Sequence, residues 1–199
     1  MELGLPVFIE RDVTMALLYD MAVHDLMDSE LLVGCYFGTG LGNVIMVNGK
    51  ILTGRNGIAG ELGHIPVDGT NDLCGCGNVG CMENVAAGKY LRKLCREVYT
   101  DTTVDQIFVK HREGPLLRQF VDRMAQVVAT EVNILDPDYV LIGGGVPEMK
   151  DFPKDDLMER ILFRTRKPYP AENLRVIFTR DAEDKSVVGA AVYGRSQRR

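Results

Sequence analysis

Leu31-Leu32-Val33-Gly34-Cys35-Tyr36-Phe37-Gly38-Thr39-Gly40-Leu41-Gly42-Asn43-Val44-Ile45-Met46-Val47-Asn48-Gly49-Lys50-Ile51-Leu52 is the stretch from which the fold is read. Two apolar runs, 31–37 and 43–47, flank a glycine-rich segment, and a third, 50–52, follows across Asn48-Gly49. An Asn-Gly pair between apolar runs is the strongest short-range hairpin signal, because both residues tolerate the left-handed backbone of the tight turn. Working outward, Val7–Glu10 reads as a strand end, and Asp12-Val13-Thr14 opens a helix marked by Met15, Leu17, Leu18, Met21 and Ala22. Downstream, helices are expected at 83–98, 103–110 and 113–135, the last stopped at Asp136-Pro137. Tyr139–Ile142 is a buried strand running into Gly143-Gly144-Gly145, followed by a helix at 154–166, a strand at 175–179 and a helix at 185–197. Hairpins first and strand-helix-strand alternation afterwards predict an α/β fold with a mixed sheet and helices on its faces.

The 199 residues suit one domain, or one lobe of a larger two-lobed protein. With 46% hydrophobic and 26% charged residues, the chain has the composition of a globular protein rather than a disordered one. No apolar run approaches the length of a spanning helix, which predicts no membrane partner. The 23 basic and 28 acidic residues leave a net charge of −5, which offers no footprint for a phosphate backbone and argues against direct nucleic-acid binding. Met1–Pro6 lacks a basic segment followed by an apolar one, so the expectation is a cytoplasmic protein with reduced thiols.

Three of the five cysteines cluster in Cys74-Gly75-Cys76-Gly77-Asn78-Val79-Gly80-Cys81, with His64 ten positions before Cys74. Three thiolates and an imidazole complete a tetrahedral zinc shell with no vacancy for water, so such a site holds a loop in shape. The alternative is three buried reduced thiols in a glycine loop; Cys35 and Cys95, which stand alone, read as core residues. Glu61 lies three residues before His64, and Glu83 two after Cys81. Carboxylates accept hydrogen bonds from hydroxyls, and a metal-bound imidazole can meet a hydroxyl with its second nitrogen, so the set suits a polyol such as a sugar. Taken singly, each glutamate reads as a surface residue. In Gly38-Thr39-Gly40-Leu41-Gly42 the backbone N–H groups could cradle a phosphate with the Thr39 hydroxyl, or the segment is a ligand-free hairpin turn. Gly143-Gly144-Gly145 ends a strand where a nucleotide could lie against the backbone. Asp12, beside Arg11 at a helix start, reads as an N-cap or as a general base that takes a proton from an attacking hydroxyl.

Together these residues resemble the ROK family of sugar kinases and sugar-responsive repressors. The similar segments are Gly38–Gly42, Gly49–Gly54, Gly57–His64, Cys74–Glu83 and Asp138–Gly145. The resemblance implies a lobe of an actin-like ATPase (ribonuclease H-like) fold, with a mixed sheet flanked by helices and an inserted zinc loop at 60–83. Residues 1–30 would be a hinge segment and the helix carrying the catalytic aspartate; residues 31–199 would be the carboxyl-terminal lobe. It further implies structural Zn²⁺ on His64, Cys74, Cys76 and Cys81. Arg11, Glu61, His64 and Glu83 would contact a hexose. Gly38, Thr39, Gly40, Gly42 and Gly143–Gly145 would serve ATP with Mg²⁺, Asp12 would be the base, and the assembly would be a homodimer.

Within the family, Arg11-Asp12-Val13, Gly60–Pro66 and Asn133–Asp138 with Gly143–Val146 look most like the D-allose kinases. Two departures stand out. Arg11-Asp12-Val13-Thr14 replaces the usual Asn-Asp-x-Asn, which removes an amide that meets a sugar hydroxyl. The family's amino-terminal Asp-x-Gly-x-Thr does not occur, since Asp68-Gly69-Thr70 has different spacing. The expectation is therefore a carboxyl-terminal lobe that is inactive in isolation. The alternatives are the sugar-sensing domain of a repressor, which needs neither Asp12 nor ATP, and a zinc-stabilised interaction module.

Overall fold

The computed structural model describes Gly4 and residues 7–196. Of the Met1–Pro6 stretch only Gly4 is described, and residue 197 of the expected last helix also lies outside the described residues. Five strands form one mixed sheet in the order β3-β2-β1-β4-β5. β1 (Leu31–Phe37) and β2 (Leu41–Val47) pair antiparallel from Leu31↔Val47 to Phe37↔Leu41, and β3 (Lys50–Ile51) continues across the Asn48-Gly49 turn. Asn48 and Gly49 both take positive φ, 51° and 72°, as that turn requires. β4 (Tyr139–Gly143) lies parallel to β1, with Tyr36 beside Gly143, and β5 (Val176–Phe178) lies parallel to β4.

β1 is central and feeds both faces with a period of two. Val33, Cys35 and Phe37 point to a core built with α5 (Pro115–Leu135), including Phe120, Met124 and Val128. Leu32 and Tyr36 point to a smaller core with Leu17, Leu18 and Met21 of α1 (Asp12–Val23). α7 (Lys185–Ser196) crosses α1 at Gly189, where a Cβ would stand 2.0 Å from Met15 O. Lys185 meets Asp20 there in a buried ion pair at 2.8 Å, and Tyr36 donates its hydroxyl to the same carboxylate at 2.9 Å. Among the described residues no helix is long and apolar enough to cross a membrane.

Several boundaries differ from expectation. Val7–Glu10 is not a strand; Val7 and Ile9 are 69% and 90% exposed, and among the described residues no neighbouring strand offers them a ladder. Arg11 caps α1, so Asp12 is the first helical residue and not the cap. The helix expected over 83–98 is two, α2 (Glu83–Ala86) and α3 (Gly88–Glu97), broken by extended backbone at Ala87. That break frees the first N–H groups of α3 for another use described below. α4 (Ile107–His111) and α6 (Lys154–Arg164) are shorter than expected. The long helix stops one residue before its proline, on Asp136 with φ 48°.

Candidate functional site

His64 sits in a single 3-10 turn, Leu62–His64, and the cysteine loop folds back on it through bridges pairing Pro66 with Cys81 and Leu73 with Val79. The ligand atoms of His64, Cys74, Cys76 and Cys81 all lie within 4.8 Å of one another. Cys74 Sγ is 3.6 Å from His64 Nδ1, and Cys76 Sγ is 3.6 Å from Cys81 Sγ. On a tetrahedral zinc with the usual bond lengths, neighbouring N/S ligand atoms stand about 3.5–3.8 Å apart, so the cluster fits that ion. Without a cation, burial pushes the Cys81 thiol up to about 12, with the Cys76 and Cys74 sulfurs adding to it. A divalent metal supplies the charge that lets all three sulfurs ionise.

The other imidazole nitrogen, Nε2, faces Glu61 Oε2 at 3.6 Å. Glu61 Oε1 accepts from Arg11 Nη1 at 3.1 Å, while Arg11 Nη2 donates to Ala59 O at 3.0 Å. Arg11 Nε is buried without a partner among the described residues. Asp12 follows Arg11; it is exposed, and its Oδ1 accepts from Val13 N at 2.8 Å. The helix start is pressed onto β2: a Cβ on Gly42 would lie 2.2 Å from Val13 Cγ1. Arg11, Glu61 and His64 thus share one neighbourhood, reached from opposite ends of a separation of about fifty residues, with Asp12 following Arg11 at the start of α1.

Glu83 ties that neighbourhood to the first glycine turn. Its Oε2 accepts from Leu41 N at 2.9 Å and its Oε1 pairs with Lys89 Nζ at 2.6 Å. Burial pushes the Glu83 carboxyl up, but Lys89 and the Leu41 N–H outweigh it and hold it below the ordinary range. Leu41 and Gly42 belong to β2, so the turn proper is Gly38–Gly40. Gly88 N and Lys89 N, released by the break at Ala87, donate to Gly38 O at 2.8 Å and Thr39 O at 3.0 Å. In a planar trans peptide the carbonyl and the following N–H point opposite ways, so the Thr39 and Gly40 N–H groups turn away from α3. That is a pair of donors suited to an anion.

The second glycine turn begins at the carboxyl end of β4, beside the end of β1, so both turns lie at the carboxyl ends of the central parallel strands. Its glycines serve different ends. A Cβ on Gly143 would meet Thr179 Oγ1 at 2.4 Å, and one on Gly144, with φ 91°, would meet Phe37 backbone at 2.7 Å. Gly145 has open space where a Cβ would go and is exposed, leaving room for a ligand.

Sequence reasoning missed Lys89, Arg92, Asn43 and Glu131. Glu131 is buried at 4% exposure on the sheet-facing side of α5, where it accepts from Asn43 Nδ2 at 2.7 Å and Cys35 Sγ at 3.4 Å. Burial pushes its pKa up to about 7, against the pull of those two hydrogen bonds. A lone carboxylate on the apolar stripe formed by Met124, Val127, Val128 and Val132 was the available signal. Lys89 and Arg92 gave none, since basic residues on one helix face read as solvated.

The ROK family pattern matches residues 1–196. A glucokinase from Thermotoga maritima is 29% identical over 208 residues, covering 94% of this chain and 65% of that protein. The crystal structure of a ROK family glucokinase from Streptomyces griseus in complex with glucose and AMPPNP superposes with a TM-score of 0.75 at 26% identity, covering 98% of this chain and 70% of that one. A ROK family transcriptional regulator, a homolog of the E. coli MLC protein, gives a TM-score of 0.76 at 25% identity, covering 98% and 53%. The chain spans 53–65% of the length of the first curated relatives it matches.

Proposed function

The chain belongs to the ROK family, and on that premise we propose that it is the sugar-holding lobe of a kinase that transfers the γ-phosphoryl group of ATP to a primary hydroxyl of a hexose. The observation that supports this reading is the Arg11 bridge to Glu61, which ties the residue before the exposed Asp12 to a carboxylate that also faces the His64 imidazole. In this reading residues 1–30 bring Asp12 to a lobe formed by 31–199. Asp12 takes the proton of the primary hydroxyl as its oxygen attacks the γ-phosphorus; the bond to the bridging oxygen of ADP breaks, and ADP leaves with that electron pair. Mg²⁺ would neutralise charge on the phosphates. Glu61 and His64 orient the sugar ring, Glu83 fixes the first glycine turn and borders the sugar, and that turn and Gly145 face the nucleotide. His64, Cys74, Cys76 and Cys81 would hold Zn²⁺, whose part is to keep Glu61 and His64 in register.

The finer assignment, D-allose or a related aldohexose, rests on the likeness of Arg11-Asp12-Val13, Gly60–Pro66 and Asn133–Asp138 with Gly143–Val146 to the D-allose kinases, although Arg11 stands where an amide is usual. A guanidinium donates only, and here it engages one oxygen of Glu61, so the hydroxyl pattern that this corner accepts differs from that beside an asparagine. A cytoplasmic homodimer completes the proposal. A sugar-sensing domain would use the same loop but has no need of an exposed aspartate at the mouth of the site. The test is ADP release from Mg·ATP with a panel of hexoses, using the full-length protein and Asp12→Asn. We expect kcat to fall by about two to four orders of magnitude with sugar affinity nearly intact. An unchanged kcat, or hexose binding without turnover in the wild type, would overturn the kinase reading.

A further inference from the structure

The basic residues of α3 are Lys89, Arg92, Lys93 and Arg96. Lys89 pairs with Glu83 at 2.6 Å, Lys93 with Asp72 at 2.7 Å and Arg96 with Glu97 at 2.6 Å. Arg92 differs: among the described residues it has no carboxylate partner, and its Nη1 donates to Thr39 Oγ1 at 3.3 Å. We infer that Arg92 is a phosphate-binding residue of the Gly38–Gly40 turn, gripping a nucleotide phosphate together with the Thr39 hydroxyl. The inference rests on the kinase reading and adds to it a cation on this lobe.

Three observations support it. A guanidinium has donors only, so in this contact Thr39 Oγ1 is the acceptor and its own proton is left to give to another acceptor. The carbonyls of Gly38 and Thr39, which would repel an anion, are both engaged by the start of α3. Thr39 and Arg92 are both exposed, and most of the guanidinium fork is uncommitted, in the planar form that matches phosphate oxygens in pairs. Lys89 cannot serve instead without leaving Glu83, whose other oxygen holds the Leu41 N–H.

The test is calorimetric titration of the zinc-loaded full-length protein with Mg·ADP and, separately, with inorganic triphosphate, for wild type, Arg92→Met and Arg92→Lys. Hexose affinity and zinc content are measured on the same samples. We expect Arg92→Met to weaken triphosphate and ADP by about tenfold and to flatten the salt dependence, with hexose affinity and zinc unchanged. Arg92→Lys should recover part of the loss, because a point charge replaces the fork. Wild-type triphosphate affinity in Arg92→Met would overturn the inference, as would a variant that loses zinc or hexose binding in parallel, which would mark Arg92 as structural. A wild type that binds hexose but no triphosphate would overturn the phosphate role of the turn itself, and Arg92 with it.

Discussion

Glu131 brings a carboxylate into the core with an amide and a thiol for company and, among the described residues, no cation in contact. Its pKa of about 7 exceeds the ordinary 4.5, so between those values the folded state holds a proton that the unfolded chain has released. Stability from this group is therefore complete at low pH, falls as pH rises from about 4.5, and has been lost by about pH 7, a difference on the order of 3 kcal/mol. Glu131→Gln keeps an acceptor for Asn43 and removes the ionisation. Urea unfolding should show the variant more stable than wild type at pH 8 and close to it at pH 5; an equal difference at both would refute this. Glu131 lay in plain view in the sequence, yet its state depends on what Cys35 and Asn43 bring to it from two strands.

The cysteine loop is an element with hardly any regular structure of its own, closed by a few backbone hydrogen bonds such as Val67 N to Gly80 O at 2.9 Å and Cys74 N to Asn78 O at 2.8 Å. With few apolar side chains besides Val67 reaching the core, a bound metal would contribute much of its order. Stripping the metal with a chelator should release the Val67, Cys74 and Gly80 amides to hydrogen exchange while β1 and β4 stay protected. Retained protection in the loop would show that the metal is dispensable. The loop was legible beforehand because three thiols and a histidine at this spacing have few other uses. The break at Ala87 was not, because 83–98 scans as one amphipathic helix, and only docking onto Gly38 and Thr39 shows why it must part.

Across the whole molecule, α1 and α7 come from opposite ends of the described chain and close over one face of the sheet, sealed by Lys185 and Asp20 at 6% and 1% exposure. Lys185→Met leaves Asp20 buried without its counter-charge and should cost about 3–5 kcal/mol. Adding Asp20→Asn should recover much of that, as read by the urea midpoints; a single variant as stable as wild type would mean that the pair contributes nothing. The sequence by itself determined the strands flanking Asn48-Gly49, the mixed α/β sheet, the clustering of three thiols near His64 and the family resemblance, since each is written in local spacing: alternation, turn residues, clustered thiols. Tertiary structure alone decided that Arg11 reaches Glu61, that Glu83 and α3 hold the first glycine turn, that Arg92 meets Thr39 and no carboxylate among the described residues, and that Glu131 shares a pocket with Cys35 and Asn43. Those contacts join residues tens of positions apart, and no periodicity encodes which distant side chains arrive at the same point. Their charges and hydrogen bonds acquire meaning only when the fold has taken them out of water together.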